Sequence, residues 1–240
     1  MATSGTYSFN PDAVDIIGEA FDLADSELRT GYQLRQAVLK LNLLLTEWAN
    51  EDVNLWTLTE INQLVTAADA TYSLSAQYFD VLSVVLRDSN DNDMPLTRLG
   101  EHDWQRLGDK TTEGRPSAYK LTKSAEPGTP QVITLWPVPD DEETYRLIIN
   151  ALRHIQDVGS TANTLDVPRR FIPALIYGLA WKISQSPNLR RDGAPLDPAA
   201  RQLDMARRAE LKSEYEMAFM KAREADRERT SLFILPGVAR

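Results

Sequence analysis

Cysteine is absent from the chain, which excludes disulfides and thiolate metal sites and fits a cytoplasm-like or redox-indifferent setting. Histidine is scarce. His102 and His154 are the two present, with no second His at ligand spacing and no H-E-x-x-H around either, so neither points to a metal centre. The phosphate-cradling loops G-x-x-x-x-G-K-[ST] and G-x-G-x-x-G are missing, as is the G-x-S-x-G elbow of a serine nucleophile. No apolar run approaches the ~18 residues of a membrane span. The first residues, Met1-Ala2-Thr3-Ser4-Gly5-Thr6, carry neither the charged nor the apolar region of a signal peptide. Positive charge is also short: 26 Lys and Arg stand against 35 Asp and Glu, a formal net charge of −9. A protein that grips nucleic acid gains affinity by neutralising phosphates, so this balance argues against tight DNA or RNA binding, though not against DNA passing without adhering.

Acid pairs are plentiful, for example Asp140 and Glu143, but no cleft-forming motif surrounds them and they read as a solvated turn rather than a glycosidase pair. The pattern contains no recognisable active site and implies no cofactor. Four of the five tryptophans, Trp56, Trp104, Trp136 and Trp181, are dispersed, which suits core or interface anchors better than a stacking platform for bases.

What is present is an ordinary globular composition, 42% hydrophobic over 240 residues, enough for one sizeable domain or two small ones. Asn10-Pro11 is a helix entry, with Asn suited to the cap and Pro to the first turn. Val14, Ile17, Phe21, Ala24 and Leu28 then form an apolar stripe, and Asp12, Asp15, Glu19 and Asp22 an acidic strip opposite it. After Gly31 a second helix carries Leu34, Val38, Leu41, Leu45 and Trp48, widened by Ala37 and Leu44. The short connection makes the two antiparallel neighbours.

From about Val53 the period changes. Tyr72-Ser73-Leu74, the stretch Tyr78 to Leu86, Gln131 to Trp136 and the alternation of Tyr145, Leu147, Ile149 and Ala151 read as strands. Gly100 to Leu107 reads as a short helix, and Asp88 to Asp93 as a turn. Helices return with Ile172, Leu175, Ile176, Leu179 and Ile183, where Pro173 lies in the first turn and Gly178 permits close packing. Pro198 to Arg229 reads as one charged helix of ~48 Å, with a narrow seam of Leu211, Tyr215, Ala218, Ala222 and Ala225. A short apolar tail follows it.

The expected fold is α+β: an antiparallel helical bundle interrupted by an inserted antiparallel β domain. Its parts are an N-terminal helix pair (1–52), the insertion (53–160), helices completing the bundle (161–229) and an extended tail (230–240).

Several local patterns become recognisable in this order. They are Asn42-Leu43-Leu44-Leu45-Thr46-Glu47-Trp48 with Val53-Asn54-Leu55-Trp56; Thr71-Tyr72-Ser73-Leu74; Lys110 with Gly114-Arg115-Pro116 and Tyr119; and Thr134-Leu135-Trp136-Pro137-Val138-Pro139-Asp140. Val167-Pro168, Ala174-Leu175 and Tyr177-Gly178-Leu179-Ala180 then precede the long helix and a tail ending Leu235-Pro236-Gly237. Together they resemble the head-to-tail adaptor (connector) proteins of tailed bacteriophages, the group related to the podovirus tail accessory factor and tubular tail protein A. The resemblance covers nearly the full length.

It implies a non-enzymatic virion protein, made in the host cytoplasm, that assembles as a dodecameric ring beneath the portal. The helical part would build the ring, and the β part would face outward or toward the next tail component, a nozzle or tail tube. DNA would thread the channel without specific binding, and no membrane is involved. In that light Leu232, Phe233, Ile234, Leu235 and Pro236 are the expected portal anchor, and Asp12, Asp15, Glu19 and Asp22 a candidate channel lining. A lumen of like charge avoids adhesion to DNA. Rival readings are another neck component such as a head-completion stopper, a cell-wall hydrolase acting through a carboxylate pair, and a helical interaction module of the host.

Overall fold

The computed structural model describes residues 9–26, 30–51, 55–124, 128–141, 143–186 and 198–226, together with Gly5 and Glu126. In chain order the elements are α1 (Ala13–Leu23), α2 (Gly31–Ala49), β1 (Leu58–Leu64), β2 (Thr71–Ser73), β3 (Tyr78–Arg87), β4 (Asp93–Pro95) and β5 (Thr97–Leu99). They continue with α3 (Glu101–Arg106), β6 (Ala118–Thr122), β7 (Val132–Trp136), β8 (Arg146–Arg153), α4 (Ile172–Ser184) and α5 (Pro198–Ala225). The fold is α+β. Two compact units divide it, one of residues Met1–Leu55 and Ile155–Arg240, the other of Trp56–His154. No described helix is long and apolar enough to cross a membrane.

In the helical unit α4 is the common partner: α1, α2 and α5 all pack on it. Its sequence explains this. Ile172, Ala174, Leu175, Leu179, Ala180 and Ile183 are all buried and surround most of the helix, the mark of a central rather than an outer helix. Pro173 sits in its first turn, where the missing N–H costs no helical bond. Gly178 is a true crossing point, since a Cβ there would lie 2.9 Å from Leu44 of α2 and 2.9 Å from the Tyr215 ring of α5. The expected neighbours α1 and α2 therefore meet chiefly through α4.

Helix ends follow their side chains. Thr30 Oγ1 accepts from the Gln33 N–H at 3.2 Å while Gln33 Oε1 accepts from the Thr30 N–H at 3.1 Å, a reciprocal cap for α2. At α1 the N–H groups of Ala13 and Val14 donate to the carbonyls of Asn163 and Thr161, so a distant loop satisfies donors the helix cannot.

Three expectations along the helices change. The N-cap of α1 is Asp12 rather than Asn10, and Pro11 precedes the helix. Val14 is 41% exposed; the buried face of α1 is Ala13, Ile16, Ile17, Ala20 and Phe21, because the small Ala residues allow the closest approach and turn Val14 to the flank. On α5 Leu211 and Ala222 are buried as the seam requires, but Ala225 is exposed and Asp226 just beyond it is buried. Asp226 pairs with Arg170, and a buried carboxylate holds such a place only when paired.

The other unit is two four-stranded sheets, ordered β1-β8-β3-β4 and β2-β7-β6-β5. Every pairing is antiparallel except the parallel pair β5–β6. Val84, Leu86, Leu147 and Ile149 of the first sheet and Tyr119, Ile133 and Leu135 of the second share one core, the face-to-face packing of a β-sandwich. Gln131 Nε2 crosses to the Phe79 carbonyl at 2.7 Å. On β8 Ile148, which alternates with the inward Leu147 and Ile149, is also only 5% exposed; its register partners Asn62 of β1 and Val85 of β3 stand on either side of it.

Candidate functional site

The acidic strip on α1 divides into two pairs with different roles. Asp12 stands at the N-cap with extended backbone (φ −71°, ψ 164°) and is half-buried. Its N–H donates to Asp15 Oδ2 at 3.4 Å, and the two form a capping box. Both carboxylates also sit at the positive end of the helix dipole, which favours anions there. Glu19 and Asp22 lie on later turns, exposed, with no ion pair among the described residues. A carboxylate pair seven and ten residues into a helix from Asp12 gains little from capping, so these two are the strip's unneutralised charge.

The expected portal anchor, Leu232, Phe233, Ile234, Leu235 and Pro236, lies outside the described residues.

The sequence patterns that carried the resemblance turn out to be contact partners within each unit. In the helical unit the Asn42–Trp48 stretch meets the segment around Gly178 and α5. Asn42 Oδ1 accepts from the Val158 N–H at 2.8 Å, Glu47 pairs with Lys182 at 2.7 Å, and Leu44 packs over Gly178. Trp48 centres a ring cluster, with centroids 5.6 Å from Phe171 and 5.3 Å from Phe219. Its indole N–H donates to the Tyr215 hydroxyl at 3.0 Å. Burial pushes the Tyr215 phenol above its ordinary pKa, against the pull of that indole donor.

In the β unit the Trp136-Pro137 peptide is cis, and the Gly114-Arg115-Pro116 turn runs alongside it. The Gly114 N–H donates to the Val138 carbonyl at 2.9 Å, and the Val138 N–H to the Thr112 carbonyl at 2.9 Å. The Trp136 indole N–H donates to the Asp109 carbonyl at 2.9 Å. Gly114 has φ 154° with Pro137 Cβ 3.8 Å from where its own Cβ would be, a backbone that a side chain would strain. Tyr72 closes a second turn: its hydroxyl accepts from the Thr66 N–H at 3.0 Å and donates to the Asp69 carbonyl at 2.8 Å.

Several titratable residues of the β unit are held in structural contacts. Glu143 Oε1 accepts from the Ser89 hydroxyl at 2.7 Å, which ties the acidic turn to the Asp88–Asp93 loop. Asp140 and Glu143 line an open recess with Val65, Ala67, Asp141 and Thr144. His102 lies exposed on α3, 3.7 Å from Asp103, and the His154 ring packs 5.0 Å from Phe79. Among the described residues no group of His, Asp and Glu could hold a metal ion. Within the helical unit the aromatic anchors Trp48 and Phe171 lie inside, while charged and several large apolar side chains lie outside.

Sequence reasoning missed one class of surface residue. Tyr32, Leu39 and Leu43 on α2 and Met217 and Met220 on α5 are 45–69% exposed. The signal was a second apolar periodicity, masked by the stronger inward stripe on each helix.

The family model for the SU10 adaptor protein matches residues 11–234. No curated protein matches the chain in sequence.

Proposed function

The chain belongs to the SU10 adaptor protein family, and from that membership we propose that it forms a ring beneath the portal of a tailed bacteriophage and joins head to tail. A phage adaptor is a structural component of the virion, so its work is recognition and assembly. The finer assignments are these: a dodecameric ring built by the helical unit, a portal contact made by Leu232 to Pro236, and a next tail component, nozzle or tail tube, met by the β unit. DNA passes through the channel without specific binding.

The family match over 11–234 carries the reading, because it spans both units rather than one motif. Charge supports it. The net charge of −9 and the exposed Glu19 and Asp22, without an ion pair among the described residues, suit a channel wall, where like charge lets the duplex slide past. Leu232-Phe233-Ile234-Leu235 is a compact apolar sequence of the kind that anchors an interface core.

The test is to mix purified protein with its cognate portal ring and examine the product by electron microscopy. An added ring on one face of the portal, lost when Thr230 to Arg240 are removed from a still-folded protein, is the expected result. Binding that survives the deletion removes the tail's role. No binding by the intact protein moves it to a later tail position.

A further inference from the structure

We infer that neighbouring copies of this chain join by laying the outer face of α2 of one copy antiparallel against the outer face of α5 of the next, with Arg35 beside Glu224. This rests on the ring-forming adaptor reading and names the surface that would close the ring.

Each of the two helices carries two seams. On α2 the buried set is Ala37, Leu41, Leu44, Leu45 and Trp48. On the opposite side Tyr32, Gln36, Leu39, Leu43, Thr46 and Asn50 step four, three, four, three, four, the spacing of a coiled-coil seam. Tyr32, Leu39 and Leu43 are 56%, 52% and 51% exposed. On α5 the buried side runs through Leu211 and Ala222. At 100° per residue the opposite side runs through Ala206, Ala209, Ser213, Met217 and Met220, all exposed. A helix that only faced water would carry charge along that line.

The two outer faces cannot meet within one molecule. Trp48 stacks on Phe219, and its indole bonds Tyr215, so the buried faces of α2 and α5 are turned toward each other and the outer seams away from each other. The seams are also unlike. One bears Tyr and two Leu, the other small residues and two Met. Unlike faces directed to opposite flanks make a heterologous contact, which repeats head to tail and closes into a ring when the rotation allows.

Charge favours the antiparallel direction. Arg35 is exposed and makes no ion pair among the described residues, whereas Glu47 of the same helix and Glu51 just beyond its end already pair with Lys182 and Arg223. Glu224 on α5 is likewise exposed and unpaired among the described residues. Running the helices antiparallel from Arg35 and Glu224 sets Leu39 against Met220, Leu43 beside Met217 and Thr46 against Ser213. A parallel register that joins Leu43 to Met220 sets Arg35 beside Lys212, and one that joins Leu39 to Met220 sets it beside Glu216, which Lys212 already neutralises. The antiparallel register pairs two charges that have no partner among the described residues.

The absence of cysteine makes the test clean. Full-length Leu39→Cys, Met220→Cys and the double variant are oxidised mildly, both alone at high concentration and on purified portal rings. The double variant is expected to give a ladder of disulfide-linked species on a non-reducing gel, each single variant none, and an equal mixture of the two singles a dimer. Arg35→Glu and Glu224→Arg should each weaken self-association on the order of fivefold per contact, and the two together should restore it. Dimers from Leu39→Cys alone mean a symmetric contact and overturn the pairing. A ring on the portal without the ladder overturns this seam and leaves the adaptor reading standing. Monomer under every condition overturns both.

Discussion

Trp48 and Tyr215, separated by 167 positions in the chain, are joined by a 3.0 Å hydrogen bond from the indole N–H to the phenol oxygen. The bond ties the N-terminal helices to the last helix across the Gly178 crossing. Trp48 is fully buried, so its only polar atom needs this partner. Tyr215→Phe keeps the ring stack and removes the acceptor, and it should cost about 1–3 kcal/mol. Trp48→Ala should cost about 3–5 kcal/mol by opening a cavity. Urea unfolding followed by far-ultraviolet circular dichroism measures both. A Tyr215→Phe variant as stable as the parent would show that the hydroxyl is dispensable.

Gly178 and Gly18 make opposite predictions. A methyl at position 178 meets Leu44 and Tyr215 at 2.9 Å, and Gly178→Ala should destabilise by about 1–3 kcal/mol as the helices are pushed apart. Nothing lies within 4 Å of a methyl at position 18, inside α1. Gly18→Ala should stabilise by up to about 1 kcal/mol through helix propensity. Thermal melting of the pair reads both signs in one experiment.

Asp80 should govern part of the acid sensitivity of the β unit. Burial raises its pKa, but the Lys123 ammonium at 2.8 Å, the Val81 N–H and Arg98 outweigh burial and hold the carboxyl below its ordinary value. A folded pKa below the unfolded one adds stability at pH above about 4, and that stability is lost as pH falls through the folded value. Asp80→Asn should therefore be less stable than the parent near neutral pH, and the gap should close on acidification. A gap that stays constant with pH would remove the ion pair as its cause.

The acidic strip on α1 can be dissected by role. Asp15→Ala should lower stability by up to about 1 kcal/mol, since it removes the acceptor of the Asp12 N–H at the start of α1. Glu19→Lys with Asp22→Lys should change stability by less than about 0.5 kcal/mol, as exposed uncapped positions do. It should preserve assembly and slow DNA release from reconstituted particles. Unchanged release kinetics would return those two residues to plain solvation.

Much of the helical unit was legible because its signals are local. Pro173 opens a helix, and Leu41, Leu45 and Trp48 recur at the helical period; each fixes a short segment whatever lies elsewhere. Gly178 was readable as a close contact for the same reason, since a glycine within a strongly apolar helix costs stability unless a neighbour needs the space. The division of the acidic strip was not legible, because spacing cannot separate a carboxylate that caps from one that only faces water.

By itself the sequence determined the α+β class, the periods of the elements and the order of the motifs that carried the family resemblance. All of these are encoded in neighbours within a few turns or one strand. Tertiary structure alone decided that α4 rather than the N-terminal pair is the hub and that β5 and β6 run parallel. It also decided that Asp226 rather than Ala225 is buried, and that α2 and α5 each keep an apolar seam facing out. These outcomes depend on partners far away in the chain: a strand's choice of neighbour, an arginine that reaches a buried acid, a glycine that lets two helices cross. Burial is a property of what packs opposite, and periodicity only says which residues share a face.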